Sequence, residues 1–317
     1  MVQKIISCDW GTSALRLRVV DIDSMAVLAE AVSEQGISGT FNLWKQSGKP
    51  ESERLSFYQS VLTGQVRKLE EQLNCSLQDM PLVISGMASS NIGMMELPYA
   101  ETPLCTDGHE LNVKITEAAS DFRHRTLIIS GVKINNDAMR GEETQLIGCM
   151  DNDKDDQLFI FPGTHSKHVI IKNGKAAAVT TFMTGEFFEL LSKKSILSTG
   201  VEESRNITGG SNVESFELGV TDSLRFNLLH SSFLVRTNDL FDKLSKQQNY
   251  FYLSGLLIGT ELKELITIKT PLTVVSDEWL AKCYSAALQK LGISKVRYSD
   301  AGKALITGHC KMYRTRM

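Results

Sequence analysis

"ISCDWGTSALRLRVVD", residues 6–21, decides how the rest of the chain is read. The run Lys4-Ile5-Ile6-Ser7-Cys8 stops at Asp9, and Trp10-Gly11-Thr12-Ser13 follows. Leu15, Leu17 and Val19 then alternate with Arg16, Arg18 and Val20, the period of a strand with one buried face. A buried strand, a turn of small residues and a second strand are predicted. Gly11 lets a ligand approach the backbone, and the amides of residues 11–13 with the Thr12 and Ser13 hydroxyls suit anionic oxygens. Asp9 suits a hydrated Mg2+, which takes one or two carboxylates, several waters and phosphate oxygens. The competing reading is a plain hairpin in which Asp9 caps the turn amides.

Residues 3–8, 15–21 and 26–32 read as three strands, and the same plan returns half a chain later. "LFIFPGTHSKHVIIKNGKAAAVTTF" gives strands at 157–161, 167–172 and 175–182, with Gly163-Thr164-His165 in the place of Gly11-Thr12-Ser13. A repeat of this kind fixes architecture, and here it predicts two similar lobes. Chance agreement of two hairpins is the alternative. Gly163, Thr164 and Ser166 are donors, and Lys167 is a point charge suited to a β- or γ-phosphate. Two such turns facing each other would form an ATP clamp. His165 and His168 are three apart and point to opposite faces of a strand, so a shared metal is not expected. His165 stays a site candidate.

Elsewhere strands alternate with helices. Leu55, Tyr58, Val61, Leu62, Val66, Leu69 and Leu73 form a helical stripe over 53–74, and 81–86 and 126–131 are short apolar strands closed by Gly. Helices are predicted over 139–150, 184–197, 250–266, 277–292 and from 301, with strands over 271–276 and 295–300. In the nearly apolar 250–266 segment, Gly255 and Gly259 allow another backbone to come close. The class is α/β with a sheet in each lobe, lobes 1–152 and 153–317, joined by the charged link "DNDKDDQ" (151–157).

Composition fits a soluble globular protein: 317 residues, 42% hydrophobic, 22% charged, net charge −3 and pI near 6.1. That balance gives no basic footprint for nucleic acid, and no apolar run reaches the roughly 18 residues needed to span a bilayer. The start of the chain reads as strand rather than signal peptide, so the cytoplasm is expected. Six cysteines lack any C-x-x-C spacing and read as reduced thiols.

Two further segments carry candidates. In "GVKINNDAMRGEETQ", Asp137 is expected at the carboxyl end of a sheet, where ligands collect in α/β folds. Arg140, a turn further on, suits bidentate capture of a carboxylate. The bland alternative makes Asp137 the N-cap of helix 139–150 and pairs Arg140 with Glu143. The loop "SGMASSNIGMMELPYAETP" (85–103) offers Ser89, Ser90 and Asn91 to a substrate, while Met94 and Met95 read as packing.

"DWGTSALR", "GMASSNIGMMELPYAETP", "NNDAMRGEETQLIG", "PGTHSKHV", "TFMTGEFFELL" and "LSGLLIGTEL" occur in order and span most of the chain. Together they closely resemble the bacterial 2-dehydro-3-deoxygalactonokinases, of the acetate and sugar kinase/Hsp70/actin superfamily. The resemblance implies two ribonuclease-H-like (actin-like ATPase) lobes with the active site in the cleft between them. It implies transfer of the ATP γ-phosphoryl group to the 6-hydroxyl of 2-dehydro-3-deoxy-D-galactonate, with Mg2+, in the De Ley–Doudoroff route of galactonate breakdown. Asp137, Asp9 and Lys167 would be catalytic, with Asp9 also the metal ligand. Gly11, Thr12, Ser13, Gly163, Thr164, His165, Ser166, Gly255 and Gly259 would hold the nucleotide. Arg16, Ser89, Ser90, Asn91, Arg140 and Glu142 would hold the sugar acid. Partners would be these small molecules, with no nucleic acid or membrane, and a homodimer stays open. Two departures stand out: Ser276-Asp277-Glu278-Trp279 where the family usually has Gly and a small residue, and Met94 where it commonly has Trp. A kinase for another sugar or sugar acid, and a non-kinase nucleotide-binding module, are the alternatives.

Overall fold

The computed structural model describes residues 4–134, 136–150, 155–207 and 210–317. It divides into two compact units, one of Met1–Asp155, Lys172–Val179 and Gly302–Met317, the other of Asp156–Ile171 and Thr180–Ala301. The end of the chain thus clusters with the first unit, whereas the sequence assigned all of 153–317 to one lobe. Residues 151–154 of the expected link lie outside the described residues, as do residue 3 of the first strand and Asn135.

The first unit runs β1 (Lys4–Trp10), β2 (Leu15–Asp21), β3 (Val27–Ser33), α1 (Ile37–Gln46), α2 (Arg54–Leu73), β4 (Leu82–Gly86), β5 (Ala100–Glu101) and β6 (Leu104–Cys105). It continues through β7 (Val113–Thr116), β8 (Thr126–Ile129), β9 (Val132–Ile134), β10 (Asp137–Met139) and α3 (Glu142–Cys149). Its main sheet is ordered β3-β2-β1-β4-β8-β7. β1 is antiparallel to β2 and parallel to β4, so Asp9 pairs with Arg16 on one side and Ser85 on the other. Central position explains the apolar run of β1, while β2 alternates buried and half-buried residues. The α2 stripe buries Tyr58, Leu62, Val66 and Leu69 in one cluster with Trp10, Leu15 and Leu17. The Trp10 and Tyr58 rings lie 5.6 Å apart, and each such fully buried side chain contributes about 1.5–3 kcal/mol.

The second unit carries β11 (Gln157–Phe161), β12 (Ser166–Lys172), the end of β13 (Lys175–Phe182), whose residues up to Val179 cluster with the first unit, α4 (Thr184–Lys194), α5 (Gly210–Arg225), α6 (Leu228–Leu240) and α7 (Lys246–Leu262). β14 (Leu272–Ser276), α8 (Glu278–Lys290) and β15 (Val296–Asp300) complete it, and α9 (Ala301–Arg316) follows. The order β13-β12-β11-β14-β15 repeats β3-β2-β1-β4-β8. Here too the first strand is antiparallel to the second and parallel to the fourth. The duplication legible in the turns is therefore present in the strand order of both sheets.

α5 and α7 meet through glycine. A Cβ on Gly219 would lie 2.1 Å from the Tyr252 carbonyl oxygen, and one on Gly255 would lie 2.0 Å from that of Phe216. One predicted element changes type at its start. Residues 137–139 form β10, antiparallel to β9, and the helix begins only at Glu142. Gly141, at φ +115, ends the extended run in a conformation that other residues rarely adopt. Asp137 is therefore no N-cap.

Candidate active site

In the first unit the site grows from the carboxyl end of β1. Asp9 is the penultimate residue of that strand, and its side chain keeps 33% exposure. Arg16 Nη1 lies 3.7 Å from Asp9 Oδ2, and Arg16 Nε lies 3.6 Å from Glu30 Oε1. Burial raises the Asp9 carboxyl above its ordinary range; Arg16 and Arg18 oppose this, and Glu142 adds to it. The turn beyond Asp9 is held from behind. Gly11 N–H donates to Ala14 O at 2.9 Å, while Ile37 N–H and Ser38 N–H donate to Gly11 O and Thr12 O. Thr12 and Ser13 are left exposed.

Beside it, the ends of β4 and β10 supply a second set of groups. Arg140 Nη1 donates to Ser89 O at 2.6 Å and Ser89 Oγ at 2.7 Å, and its guanidinium stacks 4.2 Å from the Tyr99 ring centre. Arg140 Nε is buried with no hydrogen-bond partner among the described residues. Its own amide donates to Glu142 Oε2 at 3.0 Å. Gly141 N–H donates to Glu143 Oε2 at 2.7 Å, and Thr144 Oγ1 donates to the other oxygen at 3.1 Å. Glu143 is only 1% exposed; burial, with Glu142 as the second cause, pushes its carboxyl up to about 7. Gly86 (φ +86) permits this crowding, because a Cβ there would lie 2.8 Å from the Trp10 carbonyl oxygen.

In the second unit, the 162–165 turn is braced by α4. A Cβ on Gly185 would lie 2.6 Å from Gly163 O, and Glu186 N–H donates to Thr164 O at 3.0 Å. His165 Nε2 meets Glu186 Oε2. Lys167 is buried, with Nζ donating to His165 O at 2.8 Å. Next to Gly163 opens a cavity of about 170 Å³, walled by Thr184, Phe188, Tyr250, Leu257 and Trp279 among others. Aromatic walls beside a glycine turn suit a flat nucleobase.

The sequence candidates thus fall into groups. Asp9, Gly11, Thr12, Ser13 and Arg16 share one turn; Ser89, Arg140 and Glu142 meet through the bonds above. Asp137 opens β10 half-buried, its Oδ1 accepting the Ala138 amide at 2.8 Å. Asn91 is exposed, its carbonyl accepting from Arg54 Nη2 at 2.5 Å. Other expectations are corrected. Ser90 is buried and gives its hydroxyl to Met87 O at 2.7 Å. Ser166 is 0% exposed and gives its hydroxyl to Glu261. Gly255 and Gly259 are filled by α5, so α7 reaches the cavity through Ser254, Leu257 and Ile258 instead. Sequence reasoning missed Glu143 and Glu261. Both are carboxylates inside otherwise buried helix faces, and a lone Glu in the apolar run of α7 was the available signal.

A model of the family described as 2-keto-3-deoxy-galactonokinase matches residues 9–312. The chain belongs to that family. As a 2-keto-3-deoxy-galactonokinase family member it is a kinase, a phosphotransferase acting on an alcohol group and using ATP. The 2-dehydro-3-deoxygalactonokinase of Escherichia coli (strain K12) is 28% identical over 300 residues, 92% of this chain and 91% of that protein. A Rhizobium meliloti (strain 1021) protein assigned as 2-dehydro-3-deoxygalactonokinase DgoK1 is 30% identical over 311 residues, 95% of this chain and 93% of that protein. A crystal structure from Sinorhizobium meliloti, assigned to the same activity, superposes with TM-score 0.81 at 26% identity over 98% of this chain and 96% of that one. The activator of the 2-hydroxyisocaproyl-CoA dehydratase from Clostridium difficile shares the fold alone, at TM-score 0.53 and 10% identity over 99% of this chain and 95% of that one.

Proposed function

We propose that this kinase transfers the γ-phosphoryl group of ATP to the 6-hydroxyl of 2-dehydro-3-deoxy-D-galactonate, in galactonate breakdown in the cytoplasm, where ATP is supplied. The observation that carries this reading is the Arg140 guanidinium. Its Nε is buried with no hydrogen-bond partner among the described residues, and a guanidinium N–H in that state suits a carboxylate. A sugar acid supplies that carboxylate.

The roles follow from the groups. The Thr12 and Ser13 amides and hydroxyls donate to phosphate oxygens, the Gly11 amide being spent on Ala14 O, and the base lies in the cavity beside Gly163 and Trp279. Lys167 is a fixed positive charge for the phosphates. Asp137 accepts the proton as the 6-hydroxyl oxygen bonds the γ-phosphorus and the bond to the ADP oxygen breaks. Arg16, already engaged by Asp9 and Glu30, holds the Asp9 carboxylate rather than the substrate.

Asp9 fits a Mg2+ site by its donor chemistry. Among the described residues the only trio of Cys, His, Asp or Glu donors within 4.8 Å of one another is Cys105, His109 and Glu110. Asp9 belongs to no such trio, and an ion that keeps its waters and takes phosphate oxygens needs only one or two carboxylates. Such an ion, when bound, supplies charge neutralisation to the transferring group.

ADP release with two epimeric keto acids, one derived from galactonate and one from gluconate, tests the reading. Preference for the galactonate-derived acid is expected. Equal or reversed preference would remove the substrate assignment.

A further inference from the structure

We propose that Glu261 is a positioning residue for the nucleotide, pinning the second glycine turn to the walls of the cavity beside it. The inference rests on the reading of that cavity as the ATP site.

Glu261 sits near the end of α7 and is 3% exposed. A carboxylate so deeply buried is costly unless its lone pairs are filled. Four donors fill them. Oε1 lies 2.7 Å from Ser166 Oγ and 3.0 Å from His168 Nε2, both on β12 directly after the turn. Oε2 accepts from Thr184 Oγ1 at 2.5 Å and from Tyr284 OH at 2.7 Å. Thr184 opens α4, Tyr284 stands on α8, and both line the cavity together with Gly163. One oxygen thus holds the strand that carries the turn, and the other holds two walls.

The two-sided arrangement makes a particular demand. An amide has one accepting oxygen, and its NH2 cannot accept. Hydroxyls can nonetheless turn to accept from it, so Glu261→Leu, which has no polar atom, is the change that releases both the Ser166/His168 side and the Thr184/Tyr284 side. The turn and the cavity wall then lose their common anchor. The sugar-acid groups, Arg140 and Ser89, belong to the other unit.

The test is Glu261→Leu, read by titration with ADP and by steady-state kinetics with ATP and the keto acid. The Kd for ADP and the KM for ATP are expected to rise about tenfold or more, the scale of losing bonds to a buried charged group. The KM for the keto acid is expected to stay within about twofold. Unchanged ADP affinity, or equal rises in both KM values, would overturn the proposal. A general loss of folded protein would lower kcat alone, and so is told apart. Should Glu261→Leu not fold, Thr184→Val and Tyr284→Phe each remove one donor. A smaller rise in the Kd for ADP in both is expected, and no rise in either overturns the proposal. Wild-type protein that fails to bind ADP would instead overturn the cavity assignment on which the proposal rests.

Discussion

His309 Nδ1 lies 2.7 Å from Ser7 Oγ, across 302 residues of sequence, and its Nε2 lies 2.9 Å from Ser85 Oγ. The ring fastens α9 to β1 and β4, and it is 0% exposed. Burial, with Arg18 as a lesser cause, pushes its pKa from 6.5 down to about 3. The unfolded chain therefore takes up this proton first as the pH falls. The contribution of His309 to stability is full above about pH 6.5 and is lost progressively toward pH 3, by about 1.4 kcal/mol per pH unit. Urea midpoints at pH 7 and pH 5 measure this. Wild type is expected to lose more than His309→Gln over that interval; parallel losses would show that the ring is not held neutral.

Gly255→Ala separates packing from ligand binding. Its new methyl would lie 2.0 Å from the Phe216 carbonyl oxygen, and backbone on both helices cannot yield cheaply. Overpacking of this kind costs about 1–3 kcal/mol or more. A lower melting temperature is expected, with the KM for ATP of the remaining folded enzyme unchanged. A raised KM at unchanged stability would return Gly255 to the nucleotide.

The two sheets were legible because period-two strands and glycine turns are local signals, and "GTS" and "GTH" mark the repeat within a few residues. The glycines of α7 were legible as close-approach positions, yet nothing local says whether a ligand or a helix approaches. The same limit hid Glu261. Its meaning lies in Ser166, His168, Thr184 and Tyr284, residues 23 to 95 positions away in sequence. Asp137 was placed before a helix because no rule of periodicity reveals that Gly141 will take φ +115.

Trp279 tests the departure at the end of β14. It stands beyond Asp277, whose Oδ1 caps α8 by accepting Leu280 N–H at 2.8 Å, and it walls the cavity with Tyr250 and Phe188. Stacking of a base on an aromatic ring contributes about 1–3 kcal/mol. Trp279→Ala is expected to raise the KM for ATP about five- to hundredfold and to leave the KM for the keto acid alone. A KM for ATP within error of wild type would show that the base lies elsewhere.

Asp137 and Asp9 are both carboxylates of the first unit, and asparagine distinguishes their tasks. Asp137 opens β10, and its Oδ1 accepts the Ala138 amide, a bond that an asparagine oxygen keeps. Asp137→Asn therefore preserves the local fold while removing the proton acceptor. Its kcat is expected to fall about 10²–10⁴-fold, the range for a general base, with the Kd for ADP unchanged. Asp9→Asn removes a charge that Arg16 faces at 3.7 Å and that the proposed divalent ion would need. Its expected signature is a raised Mg2+ concentration for half-maximal rate as well as a lower kcat. Measuring both variants across a Mg2+ titration decides the assignment. Near-normal turnover of Asp137→Asn would move the base elsewhere, and an unchanged Mg2+ requirement in Asp9→Asn would leave that carboxylate the partner of Arg16 alone.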